Sequence, residues 1–388
     1  MRQMTRRERL IATLKGEPVD RPAVSFYEIG GFSIDRNDPD AYNIYNAPSW
    51  QPLLDLAGKQ TDIIRLVSPV RAQSHLSWAG SDAPEIRKKL VDELTWEEKN
   101  SRFTRLTYRI NGKSLTTLSR RDKELDTVWV VEPLLKTTED VRLYLHLPQE
   151  IFGEVFNYDR LAQEEMSLGD AGIVMVDTED PVCAVAGLFD MATFPLFAVT
   201  EPELCHKLLE KHAVIIQSRT EHVARQFPGR LWRIYGPEYV TEPFLPPSLF
   251  DDYVVRYTGP MVREIKAHGG YARIHVHGRI RNVLDQIVKM GADAIDPIEP
   301  PPRGDVDLKF VRERYGRELV LFGNIEISDL EYLPGDRFRR LVRQSIAEGT
   351  AGEGRGFVLM TSASPYGREI SAQTLRNYEI MVEEIERT

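Results

Sequence analysis

What this chain has little of already narrows its function. Cysteine is scarce: two among 388 residues, Cys183 and Cys205, too few for a disulfide framework or a cysteine-built metal cluster. Positive charge is outweighed, since Lys+Arg 50 against Asp+Glu 59 leaves a net charge of −9 with no strongly basic block. That argues against nucleic acid or an anionic membrane as the main partner, because phosphates are held by cationic side chains. The longest apolar stretch, Val182 to Val199, is interrupted by Asp190 and Pro195, so no membrane span is expected. The N-terminus, Met1-Arg-Gln-Met-Thr-Arg-Arg-Glu-Arg, has no apolar signal core. No P-loop and no dinucleotide fingerprint occur: Gly349, Gly352, Gly354 and Gly356 precede a predicted strand rather than follow one. The expectation is a cytoplasmic protein of a reducing compartment that acts on a small molecule.

What is present is core material in an alternating pattern. Apolar residues make up 42% of the chain, ample for a large core. Thr5 and Glu8 form a Thr-x-x-Glu capping box ahead of Leu10, Ile11 and Leu14 at helical spacing, and Gly16 ends that helix. Eight short runs rich in β-branched and aromatic residues follow: Ala23–Tyr27, Asp62–Val67, Ile173–Val176, Leu231–Tyr235, Ala272–Val276, Ala294–Ile298, Leu319–Phe322 and Phe357–Met360. Helical patterns separate most of them, including Pro202–Arg225, Ser248–Ala267, Ile280–Met290, Val306–Arg314, Asp336–Ala347 and Ala372–Glu384. Strands alternating with helices predict an α/β fold with a parallel sheet, and eight of them predict a (β/α)₈ TIM barrel.

The alternation breaks between about residues 75 and 135. There the chain reads as a helix followed by alternating runs, Arg105–Ile110 and Ser114–Leu118, joined by Asn111-Gly112, a strong hairpin signal, with Val128–Glu132 as a third strand. We read this as a hairpin-containing insertion after barrel strand two. No repeat, linker or low-complexity tract divides the chain, so residues 1–388 read as one barrel domain carrying that insertion.

In such barrels the chemistry lies at the C-terminal ends of the strands. Those places hold Tyr27 and Glu28, Arg65 and Ser68, Asp177, Glu179 and Asp180, Tyr235, Glu238 and Tyr239, His275 and His277, Asp296 and Glu299, Asn324 and Glu326, and Ser362 and Ser364. The sharpest signal is His275-Val276-His277-Gly278. Residues two apart on a strand share a face, so both imidazoles can face one ion, with Glu299 on the next strand. Two His and a carboxylate are a known ligand set for catalytic zinc and non-haem iron. The plainer reading is a hydrogen-bonded or substrate-contacting pair without metal. Asp177, Glu179, Asp180 and Glu238 either cap the helices that follow or serve the substrate, and Asn324 is either a turn residue or a substrate contact. Ser362 and Ser364 have no His partner in sequence, which argues against a serine nucleophile.

Together these segments resemble the uroporphyrinogen decarboxylase superfamily over nearly the full length. The matching pieces are Thr5-Arg-Arg-Glu-Arg with Asp20-Arg21-Pro22, Leu245-Pro-Pro-Ser-Leu-Phe250 followed by Pro260, His275-Val-His277-Gly278, Gly291-Ala292-Asp293-Ala294, Gly323-Asn324-Ile325, and the segment from Phe357 to Leu375. The resemblance implies a (β/α)₈ barrel and several activities. Uroporphyrinogen decarboxylases proper carry an arginine-rich loop after the first strand, where this chain reads Tyr27-Glu28-Ile29-Gly30-Gly31-Phe32, and a late Gly-His-Gly, where it reads Ala363-Ser364-Pro365. The corrinoid-linked methyltransferases and the cobalamin-independent methionine synthases bind zinc through His-x-Cys and a late Cys, with a Glu on the following strand in the latter. Matching positions here are His275, His277, Glu299 and about Ser364, so thiolates give way to imidazole and hydroxyl.

The resemblance therefore implies a methyltransferase acting on a methyl ether or thiol. His275, His277 and Glu299 would hold Zn²⁺, and Glu238 or Asp177 would handle the proton. Tyr235 and Asn324 would orient the substrate, with cobalamin brought on a separate corrinoid protein. The alternative is a metal-free decarboxylase of a tetrapyrrole or smaller acid, for which Arg65, Arg273, Arg279 and Arg303 are the candidate cations. A third reading is a non-catalytic binder of a corrinoid or porphyrin partner. The decarboxylases of the family are homodimers, which the resemblance carries over as an expectation.

Overall fold

A computed structural model of the chain describes residues 2–26, 29, 34–71 and 84–388. Tyr27, Glu28 and most of the loop after the first strand, and residues 72–83 of the insertion, lie outside the described residues. Strands β1 (Ala23–Val24) and β2 (Ile63–Val67) come first. Strands β3 (Val91–Glu98), β4 (Ser101–Ile110), β5 (Lys113–Asp122) and β6 (Val128–Glu132) form the insertion. Strands β7 (Gly172–Glu179), β8 (Leu231–Tyr235), β9 (Tyr271–His275), β10 (Ala294–Asp296), β11 (Val320–Ile325) and β12 (Phe357–Thr361) complete the set.

All eight barrel strands are parallel, in the order β1-β12-β11-β10-β9-β8-β7-β2. The two end strands meet through the Asp62 N–H, which donates to the Val24 carbonyl at 2.7 Å, so the sheet curls back on itself as the predicted barrel. The eight expected strands are all present; β1 is shorter than its sequence run and β7 longer. The connecting helices include Pro202–Gln226, Arg256–Ala267, Gly335–Gly349 and Ala372–Glu386. No helix among the described residues is long and apolar enough to cross a membrane.

The insertion is a four-stranded antiparallel sheet, order β3-β4-β5-β6, with the hairpin turn at Asn111 and Gly112. The sequence reading missed β3. Val91-Asp-Glu-Leu-Thr-Trp-Glu-Glu is mostly solvent-facing and acidic, so no apolar stripe marks its period.

Two apolar layers meet at the barrel wall, because side chains two apart on a strand share a face. The inward set fills the lower lumen: Ala23, Ile64, Leu66, Ile173, Met175, Leu231, Ala294, Val320, Phe322, Val358 and Met360, closed by Leu10 and Leu14 of the first helix (Arg6–Lys15). The capping box expected at Thr5 and Glu8 is present and starts that helix. The same inward parity, continued toward the C-terminal strand ends, turns polar.

Candidate active site

Strand register sets out the polar end of the lumen as two rows. Asp177, Arg233 and Arg273 are partners across β7, β8 and β9, and one step further Glu179, Tyr235, His275 and Asp296 are partners across β7 to β10. In the lower row Arg233 grips Asp177 with two hydrogen bonds, Nε to Oδ1 at 2.6 Å and Nη2 to Oδ2 at 3.1 Å. Arg273, fully buried, pairs with Asp296 Oδ1 at 3.1 Å and stacks on the Phe322 ring at 4.8 Å.

Above them stands the histidine pair. His275 Nδ1 bonds Asp296 Oδ2 at 2.8 Å, and His277 Nδ1 bonds Glu299 Oε1 at 3.0 Å. Each imidazole thus has a carboxylate behind it, which turns the two Nε2 atoms toward one another at 3.1 Å. One proton on that line satisfies both nitrogens. Burial pushes the His277 pKa down, but the hydrogen bond and charge of Glu299, helped by Glu238 and Asp296, raise it to about 9. Burial would raise Asp296, yet Arg273 and His275 hold it well below the usual carboxylate range. Glu299 is lowered likewise against its burial, by His277 and by the Gly278 N–H, which donates to Oε2 at 2.6 Å.

The pair fits part of the expected metal set. At a zinc–nitrogen distance of about 2.0–2.1 Å, two imidazole nitrogens on one tetrahedral ion lie about 3.3 Å apart, close to the separation found here. A carboxylate on the far nitrogen of each ligating histidine is the usual support for such a ligand. Glu299 fills that supporting role instead of the ligand role expected from sequence. Both its oxygens are engaged, Oε1 by His277 and Oε2 by the Gly278 N–H. Among the described residues no group of three or more His, Cys, Asp or Glu is arranged around a common point for a metal.

The other expected residues divide. Tyr235 lies in the same row as His275, and burial together with Glu179 and Asp177 holds its phenol well above its ordinary range, a neutral hydroxyl. Glu238 is half-buried over the mouth, with Oε2 accepting the Gly236 N–H at 3.2 Å. Gly236 is required there: its φ is +121°, and a Cβ would stand 2.2 Å from that of Cys183. Asp177 is brought to the lumen with both oxygens held by Arg233, as an ion-pair partner. Asn324 is held in place by the outer helix Gly335–Gly349, its side-chain oxygen accepting from Ser345 Oγ at 3.1 Å. The cap reading holds for Asp180, whose Oδ1 accepts the Cys183 N–H at 2.7 Å at the start of the helix Pro181–Ala186. Glu179 belongs to a buried cluster with Arg219 and Glu154.

Several residues of the mouth were named in sequence without a role, or passed over. Asp296 is the second carboxylate of the histidine pair. Cys183 lies beside Asp180 and Glu238, where burial and those charges keep its thiol protonated. Arg233 escaped notice because nothing in its own neighbourhood shows the register that sets it against Asp177. Of the cations a decarboxylase would need, Arg65 faces Glu164 of the outer helix Tyr158–Leu168 at 3.9 Å, and Arg273 is occupied by Asp296. Arg303 meets Glu326, whereas Arg279 is joined to Glu242 only through the backbone, as an isolated antiparallel β-bridge.

Comparison with known proteins agrees with this architecture. The sequence profile described as uroporphyrinogen decarboxylase (URO-D) matches residues 125–386. The structure of a methyltransferase from Methanosarcina mazei aligns over 99% of this chain and 99% of its own, with a TM-score of 0.60 at 15% identity, a likeness of fold. An AP endonuclease of family 2 from Brucella melitensis aligns over 56% of this chain and 81% of its own, at 12% identity and a TM-score of 0.31. No curated protein matches significantly.

Proposed function

The chain belongs to the uroporphyrinogen decarboxylase family, and from that premise we propose that it is a zinc-dependent methyltransferase of the corrinoid-linked kind. Its substrate is a small methyl ether or thiol, and its methyl acceptor a corrinoid carried by a separate protein. The observation that carries this reading is the imidazole pair, with two Nε2 atoms 3.1 Å apart and a carboxylate behind each ring. His275 and His277 would hold the zinc, with Asp296 and Glu299 keeping both rings in the Nδ1–H tautomer. When bound, the ion supplies a Lewis acid to an oxygen or sulfur of the substrate. Tyr235 offers a neutral phenol to orient that substrate, and Glu238 stands over the mouth. The M. mazei methyltransferase, with the same fold, supports the assignment without naming the substrate.

Elemental analysis of protein purified without added metal tests the reading, beside a His275→Ala/His277→Ala variant. About one zinc per chain is expected in the first and none in the second. Zinc-free wild type, even after zinc is offered, rules the metal site out and leaves the histidines as substrate contacts. The decarboxylase reading would then be tested by carbon dioxide release from uroporphyrinogen.

A further inference from the structure

Glu326, at the end of β11, has no structural task that explains its position. It stands at the start of the helix Ile327–Tyr332 but makes no capping bond. The Ile327 N–H goes instead to Ser362 Oγ at 3.2 Å. The side chain is nevertheless buried, with the residue 5% exposed, which is costly for a carboxylate unless it is fully paired. Only one side is paired. Arg303 Nε lies 3.2 Å from Oε2, and Ser362 Oγ donates a long bond of 3.5 Å to the same oxygen, while Oε1 is buried without a hydrogen-bond partner. An unmet buried carboxylate oxygen calls for an explanation, and a reacting group brought to it supplies one.

We propose that Glu326 Oε1 is the contact through which the site gives a proton to the departing heteroatom of its substrate. The role rests on the methyltransferase reading above and gives to Glu326 the acid function expected from sequence at Glu238 or Asp177. The groups facing Glu326 favour it. Burial, the charge of Glu299 and that of Asp329 raise its pKa to about 7, while Arg303 and His277 pull the other way. With a methyl ether, the methyl–oxygen bond breaks and its electron pair stays on oxygen. The methyl passes to the nucleophilic acceptor, a Co(I) corrinoid, and the proton on Oε1 neutralises the oxygen, leaving a carboxylate that water reprotonates. The sign follows: the acid form exists below about 7, so methyl transfer persists there and falls as pH rises through that value.

Two measurements test this. pH-difference infrared spectra should show a protonated carboxyl lost near pH 7 in wild type and missing from Glu326→Gln, beside the Asp180 signal near pH 8 that both proteins share. Methyl transfer from guaiacol and from dimethyl sulfide to Co(I) cobalamin is then followed by absorbance. Glu326→Gln should lose about 100-fold or more in kcat, together with the alkaline fall. Glu326→Asp should retain that fall at reduced rate. Unchanged melting and zinc content in both variants shows that the site is otherwise intact. Inactive wild type on both probes overturns the methyltransferase reading and this role with it. Active wild type, with Glu326→Gln unchanged in rate and pH profile, overturns this role alone.

Discussion

The two ends of the barrel lumen are built from the same strands with the same inward parity, yet they solve opposite problems. At the N-terminal end the inward positions are Ile64, Ile173, Leu231, Val320 and Val358, and packing alone holds them. At the C-terminal end β7 to β10 turn in Asp177, Arg233, Arg273, His275 and Asp296, which must be neutralised by one another. The apolar end tolerates any residue of about the right volume. The polar end depends on register, because each charge finds its partner on the neighbouring strand.

The largest break in that contrast is expected from removing one charge of a pair. Arg233→Leu should destabilise by about 3–5 kcal/mol, because Asp177 is left buried without its two bonds. The double variant Asp177→Leu/Arg233→Leu should recover much of the loss, since a buried ion pair exchanged for apolar side chains is often near neutral. Urea denaturation of wild type, both single variants and the double variant measures the coupling. If the double variant loses the sum of the two singles, the charges are not joined as described.

A second test separates buried charge from buried polarity. Asp180 is buried, and desolvation, followed by the charges of Glu238 and Glu179, raises it to about 8 despite bonds from the Cys183 N–H and Thr258 Oγ1. The folded state therefore keeps a proton that the unfolded chain releases near pH 4. Stability falls as pH rises between those values, because the native state binds the extra proton. Asp180→Asn keeps the cap and removes the titration. It should match wild type near pH 4 and exceed it by on the order of 2 kcal/mol at pH 8. Thermal melts across that range decide the matter: a variant less stable at pH 8 would mean a carboxylate that is ionised and well served in the fold.

This contrast also marks what the sequence made legible. The barrel was readable because β-branched runs alternate with helical patterns, and the insertion hairpin because Asn111-Gly112 is a local signal. The histidine pair was readable because strand parity fixes which side chains share a face. What each carboxylate does was not readable. Asp296 ends β10 and Glu299 lies three residues beyond it, and only three-dimensional placement assigns one to His275 and the other to His277. Asp177 and Arg233 are paired across 56 residues by register, and Asn324 meets Ser345 of the helix Gly335–Gly349, a contact that no local pattern announces. Glu326 was seen as a strand end, but its unmet oxygen appears only once its neighbours are in place.

The smallest effect belongs to the apolar end and sharpens the comparison from the other side. Ile64 is 1% exposed and faces the lower lumen. Ile64→Val removes one methylene and should cost about 0.5–1.5 kcal/mol in urea denaturation. Its partners are held by volume and not by direction, so the loss should stay local. If His275 and His277 hold zinc as proposed, its content should match wild type, with the same dependence on pH. Loss of zinc in Ile64→Val would show that the lower lumen sets the geometry of the histidine pair. The two ends would then form one mechanical unit rather than a plug beneath an independently ordered site.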